Sequence, residues 1–187
     1  MCEADWSRLA RTIHDKGNRM SHVEHKDSSA GIQARCAVIT LSDTRNEAND
    51  TSGAKIKTLL GSEHHLVSYY AIIRDEPREL SVLLEELISS GDVDVILTNG
   101  GTGISRRDHT IAVVENHLTT VLSGFGELFR MLSYQQIGSS AMMSRAVAGI
   151  AKDKLVFAMP GSTAGVELAM TKLILPELRH LLGQMRK

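Results

Sequence analysis

The chain has 187 residues, 42% hydrophobic and 23% charged, which suits one globular domain with a sizeable core and excludes a disordered or fibrous protein. Lysine and arginine number 21 against 22 acidic residues, a net charge of −1, which argues against broad electrostatic capture of nucleic acid or of an acidic membrane. Two cysteines, Cys2 and Cys36, form neither a disulfide framework nor a C-x-x-C metal pattern.

No run approaches the roughly 20 apolar residues a spanning helix needs. The N-terminus lacks an apolar signal region, and Glu3 and Asp5 are wrong for a transit peptide, so a cytoplasmic address is expected, without membrane or nucleic-acid partners. Residues 1–34 read as a polar arm on which Trp6, Leu9 and Ile13 line one face of a short helix. His22-Val23-Glu24-His25 is not the H-E-x-x-H zinc pattern and reads as a solvated stretch. The folded domain is expected over 35–187.

From Arg35 the chain alternates strand and helix signals. Cys36 to Leu41 is a short apolar run suited to a strand buried on both faces. Thr51-Ser52 offer an N-cap for a helix carrying Ala54, Ile56, Leu59 and Leu60, with Gly61 as its stop. Leu66 to Ile73 is a second strand. Pro77 opens a helix with Leu80, Leu83, Leu84, Leu87 and Ile88 on one face, closed by Ser89-Ser90-Gly91. Val93 to Thr98 is the third strand. A glycine-rich loop and a helical stretch with Ile111, Val114 and Leu118 follow. Leu155 to Met159 is the last strand, and Pro176 kinks or splits the last helix. This alternation predicts an α/β sandwich of three layers around a mostly parallel central sheet.

In such a sheet ligands bind beyond the carboxyl ends of the strands. That rule selects Ser42-Asp43 onward, Asn99 to Asp108, and Pro160-Gly161-Ser162. The middle loop, Thr98-Asn99-Gly100-Gly101-Thr102-Gly103, carries the strongest chemical signal. Its glycines let the backbone approach a ligand, and its amides with a helix start beyond make an anion site. It matches neither G-x-G-x-x-G nor the P-loop pattern, and it also suits a plain tight turn. Asp75 and Asp108 each follow a predicted strand. Either suits a helix cap, and together beside a phosphate cradle they suggest a Mg²⁺ site. Phe125, Phe129, Met131, Leu132, Tyr134, Met142 and Met143 suit ordinary core and a subunit contact or pocket wall equally.

Leu97-Thr98-Asn99-Gly100-Gly101-Thr102-Gly103 with Arg107-Asp108 resembles a signature of the MoaB/MogA family of molybdenum cofactor biosynthesis proteins. Gly124-Phe125-Gly126-Glu127-Leu128-Phe129-Arg130 followed by Ser144-Arg145, the opening Ile39-Thr40-Leu41-Ser42-Asp43, and Met159-Pro160-Gly161-Ser162 match it too. The likeness runs from about Arg35 to about Leu182, and Asn99 with the Gly-Phe-Gly-Glu-Leu-Phe-Arg run is closer to the MoaB branch.

The resemblance implies a molybdopterin-binding fold assembled as a homotrimer or hexamer. It implies molybdopterin and ATP as ligands, Mg²⁺ as cofactor, and transfer of AMP to molybdopterin. By motif match its acidic catalytic and metal positions fall on Asp75 and Asp108. Ser42, Asp43, Thr98, Asn99, Gly100, Gly101, Thr102, Gly103, Arg107, Pro160, Gly161 and Ser162 are the implied binding residues. One departure is Ser162-Thr163-Ala164-Gly165, where many adenylylating members carry a further proline. It leaves a non-catalytic molybdopterin-binding or carrier role as the alternative.

Overall fold

The aliphatic run of the first strand is buried almost without interruption, and the reason is that helices cover both faces of the sheet. The computed structural model describes residues 31–187. Its strands are β1 (Arg35–Leu41), β2 (Leu66–Ile73), β3 (Val95–Asn99), β4 (Thr120–Val121), β5 (Val147–Ala151) and β6 (Lys154–Met159). They form one sheet in the order β2-β1-β3-β6-β5-β4. The β1–β2, β1–β3 and β3–β6 pairs are parallel, while β5 and β4 continue the sheet antiparallel.

The helices are α1 (Thr51–Ser62), α2 (Pro77–Ser89), α3 (Thr110–His117), α4 (Ser123–Ile137), α5 (Thr163–Ala169) and α6 (Leu175–Met185). Successive strand side chains point to opposite faces, so the strands feed two cores. Cys36, Val38, Leu97, Phe157 and Met159 pack with Ile56, Leu60, Phe129, Met170 and Leu178 on one face. Ala37, Ile39, Ile96 and Val156 pack with Leu80, Leu84, Ile111 and Val114 on the other. Each large aliphatic side chain so buried contributes about 1.5–3 kcal/mol before chain entropy is counted. The expected three-layer α/β sandwich is the fold observed.

Several local details differ from the sequence reading. The N-cap of α1 is Asp50, whose carboxylate accepts from the Gly53 amide, rather than Thr51 or Ser52. The helix runs through Gly61 to Ser62. The hairpin of β5 and β6 turns on Lys152 at φ 55°, with no glycine or asparagine to announce it. Pro176 does divide the last helix. A π-turn over Met170–Ile174 widens the backbone, and Leu175 N–H reaches back to the Met170 carbonyl. This makes room for a ring that would collide with the preceding turn and that offers no N–H.

The expected arm over 1–34 lies outside the described residues except for its last four. Of those, Ala34 is fully buried and donates its N–H to His65 Nδ1. At the end of the sheet where β1 begins, Asp94 accepts from Arg35 N, Nε and Nη2 and from Arg186 Nη2, tying the first strand to the chain's last turn. No described helix is long and apolar enough to cross a membrane.

Candidate functional site

Strand β1 has β2 on one side and β3 on the other, so the connections diverge between β1 and β3, where an open parallel sheet leaves a crevice beyond its carboxyl ends. Three loops meet there in backbone contact. A Cβ on Gly100 would fall on the Leu41 carbonyl oxygen, and one on Gly161 would lie 3.0 Å from Gly100 Cα. Gly100 and Gly101 take φ of 101° and 61°, conformations that L side chains rarely adopt.

Gly100 N–H is bonded to the Met159 carbonyl, and the Gly101 carbonyl accepts from Thr110 N–H. The N–H groups of Gly101 and Thr102 have no acceptor among the described residues. Successive backbone amides presented in this way form a concave anion site.

Carboxylates crowd one side of this turn. A Cβ on Gly101 would lie 2.5 Å from Asp75 Oδ1 and would also strike Thr110 Oγ1. The Asp75 carboxylate accepts no hydrogen bond among the described residues, and burial with neighbouring Asp108 and Asp43 pushes its pKa up. Asp43 forms a 2.6 Å ion pair with Arg107 and lies 3.4 Å from the Asp75 amide that donates to it. Asp108 is held ionised by hydrogen bonding to Ser105, with a 2.7 Å bond from Ser105 N–H.

Neither Asp75 nor Asp108 caps a helix. The caps of α2 and α3 are Glu76 and His109, without side-chain cap bonds. The donor set is hard oxygen with a surplus of negative charge, which suits a divalent cation held by one or two carboxylates and completed by ligand phosphates and water. Among the described residues no three His, Cys, Asp or Glu side chains converge tightly enough to cage a metal by themselves.

The other side of the turn is a closed polar network. Asp50, 2% exposed, accepts from Thr40 Oγ1 at 2.6 Å, Tyr70 OH at 2.8 Å, and the Gly53 amide and Ser52 Oγ at 3.0 Å. Asn99 is fully buried; its amide donates to the Ile39 carbonyl and Thr40 Oγ1, and its oxygen accepts from Ser52 Oγ. Arg45 bonds Ser52 and Asp50 and donates to the Gly161 carbonyl at 3.0 Å, joining the first and third loops.

The structure therefore brings Ser42, Asp43, Asp75, Gly100, Gly101, Thr102, Gly103, Arg107, Asp108, Pro160 and Gly161 to one rim. Ser42 Oγ accepts from the Thr44 and Arg45 amides and shapes the first loop. Thr98 and Asn99 turn inward, and Ser162 caps α5 by accepting from Gly165 N–H. The sequence reading did not single out Arg45, Asp50, Tyr70 or Thr110, and it named Ser52 only as a helix cap. A buried aspartate just before a helix is a detectable signal; a tyrosine reaching across from β2 is not.

Arg145 entered the sequence reading only as half of a Ser-Arg pair. It donates to the carbonyls of Thr102, Gly103 and Asp108.

Comparison with known proteins accords with this geometry. Residues 37–180 match the family model described as a probable molybdopterin binding domain. The chain is 48% identical over 169 residues to molybdenum cofactor biosynthesis protein B of Bacillus cereus, covering 90% of this chain and 99% of that protein. A crystal structure of a molybdenum cofactor biosynthesis protein B superposes with a TM-score of 0.81 at 48% identity, over 83% of this chain and 97% of the other. The tungsten cofactor synthesizing protein MoaB of Pyrococcus furiosus superposes with a TM-score of 0.74 at 37% identity, over 83% and 98%. The chain belongs to the MoaB/MogA family of molybdenum cofactor biosynthesis proteins, on its MoaB side.

Proposed function

We propose that the chain binds molybdopterin and adenylylates it, using ATP and Mg²⁺ and releasing pyrophosphate. The observation that carries this reading is the pairing of an amide cradle at Gly101 and Thr102 with the under-satisfied carboxylate of Asp75 directly across it. In this reaction an oxygen of the molybdopterin phosphate forms a bond to the α-phosphorus of ATP, and the bond from that phosphorus to pyrophosphate breaks. The nucleophile is already anionic at neutral pH, so no side chain must remove a proton from it. The work left to the protein is bringing two polyanions together in line and neutralising charge at the α-phosphate.

Gly101 and Thr102 receive phosphate oxygens on their free backbone N–H groups, while Gly100 and Gly103, whose own N–H groups are engaged, shape the turn around them. Asp75 and Asp108 would hold Mg²⁺, which would supply charge neutralisation at the α-phosphate. Arg107 adds positive charge at the rim. Ser42, Asp43, Pro160 and Gly161 wall the crevice, and Thr98, Asn99 and Ser162 hold its shape from beneath.

Binding without turnover is the second reading, favoured by Ser162-Thr163-Ala164-Gly165 in place of a further proline. Supplying molybdopterin, ATP and Mg²⁺ and measuring pyrophosphate separates the two. Release of pyrophosphate supports adenylylation; tight binding without release leaves the carrier role.

The chain acts as a homotrimer or hexamer in this reading. In support, α4 and the 3₁₀ turn Gly138–Met143 expose Met131, Tyr134, Ile137, Met142 and Met143, each 49–83% accessible in the single chain. Such an apolar face marks an interaction site. Light scattering at several concentrations tests it, and a monomer throughout would discard it.

A further inference from the structure

We propose that Arg145 is the positioning residue of the glycine loop, resting on the assignment above of that loop as the phosphate cradle. Its guanidinium donates from Nε to the Thr102 carbonyl at 2.9 Å, and from Nη2 to the Gly103 carbonyl and to the Asp108 carbonyl at 3.0 Å. No carboxylate of the described residues forms an ion pair with it. Its hydrogen bonds all go to the backbone of one loop, and its charge also helps to hold the Asp108 carboxylate ionised.

The consequence follows from peptide geometry. Across a trans peptide plane a carbonyl and the next residue's N–H point in opposite directions. Holding the Thr102 carbonyl therefore turns Gly103 N–H the other way, toward the Asp108 carboxylate, where a Gly103 Cβ would lie only 2.8 Å from Oδ2. Thr110 N–H does the same to the Gly101 carbonyl and turns Thr102 N–H outward. Thr110 thus sets the free Thr102 amide, while Arg145 fixes the peptide planes that follow it and, through Gly103 N–H and its own bond to the Asp108 carbonyl, orients Asp108 beside the cradle.

Arg145 is itself placed by packing. A Cβ on Gly126 of α4 would lie 2.6 Å from the Ala146 carbonyl, so this glycine lets the helix press against the residue next to Arg145. Ala146 and Val147 are buried immediately beyond. The Gly-Phe-Gly-Glu-Leu-Phe-Arg and Ser-Arg segments thus meet in one device. Three carbonyls spread over seven residues need a planar fork of several donors, which arginine has and lysine does not.

The test compares Arg145→Ala and Arg145→Lys with the unaltered chain by two readouts. Hydrogen exchange should quicken at residues 101–109 in both variants while the amides of β1 and β3 keep their protection. Pyrophosphate release, with molybdopterin, ATP and Mg²⁺ supplied, should fall on the order of 100-fold in both. Millimolar ethylguanidinium should restore both readouts to Arg145→Ala but leave Arg145→Lys unchanged. Full activity in Arg145→Lys would overturn the proposal by showing that charge alone suffices. Unaltered loop exchange in Arg145→Ala would overturn it by showing that the loop stands unaided. If the unaltered chain neither binds molybdopterin nor releases pyrophosphate, the functional reading falls, and the exchange data still decide the role of Arg145.

Discussion

Asp50 and Asp75 flank the same glycine turn and have opposite surroundings. Asp50 is buried among hydroxyls, an amide and Arg45; burial opposes its charge, yet the hydrogen bonds from Thr40, Gly53, Tyr70 and Ser52 prevail and hold its pKa down. Asp75 accepts no such bonds, faces Asp108 and Asp43, and has its pKa pushed up. A saturated carboxylate belongs to the frame. An unsaturated one beside like charges is set up to receive a positive partner from outside. In the proposed function, the difference separates what holds the crevice open from what acts within it.

The largest expected effect breaks the frame side. Asp50→Ala leaves Thr40, Tyr70, Ser52 and Arg45 without their shared acceptor and should cost about 3–5 kcal/mol of stability, read as a lower denaturant midpoint. A loss well under this would show that the network is dispensable.

Gly101→Val comes next and strikes the site side. Its side chain meets Asp75 and Thr110 at a positive φ, so it should abolish molybdopterin binding and also destabilise the fold by about 1–3 kcal/mol. Unchanged pterin affinity in a folded variant would make the loop a mere turn.

Asp108→Asn sharpens the contrast further. Asparagine keeps an acceptor for Ser105 N–H, so stability should stay within about 1 kcal/mol while turnover is lost. Retained turnover would reduce Asp108 to a brace of its own loop.

The smallest effect is in pH dependence. Asp50 and Asp94 have depressed pKa values, so their contribution is full above the ordinary carboxylate value of about 4 and is lost as pH falls through their folded values. Asp75 has the opposite sign: its contribution is present at low pH and is lost as pH rises through its raised value. Asp75→Asn should therefore gain stability at neutral pH and gain little in acid. Equal gains at both would mean that the burial and crowding of an ionised carboxylate are not the cause.

Much of the fold was legible because strong patterns have few solutions. The leucine face of α2, the run of β1 and the glycines after β3 each have one economical placement in an α/β chain. The antiparallel β4 and β5 were not legible, because Val147-Ala148-Gly149-Ile150-Ala151 is short and its turn places Lys152, not glycine or asparagine, at the positive φ. The rim loops were identified from topology alone. Which of their side chains face outward was not, since Asn99 turns in while Gly100 beside it lines the crevice.

By itself the sequence determined the order of elements, the layer architecture and the three loops that meet at the sheet's carboxyl edge, because hydrophobic period and chain punctuation are local properties. Only the tertiary structure decided which aspartate is saturated and which is bare, and that Arg145 grips a loop some forty residues earlier in the chain. Those outcomes depend on hydrogen-bond partners delivered by β2, β3 and the segment before β5. No local pattern records what distant segments bring together.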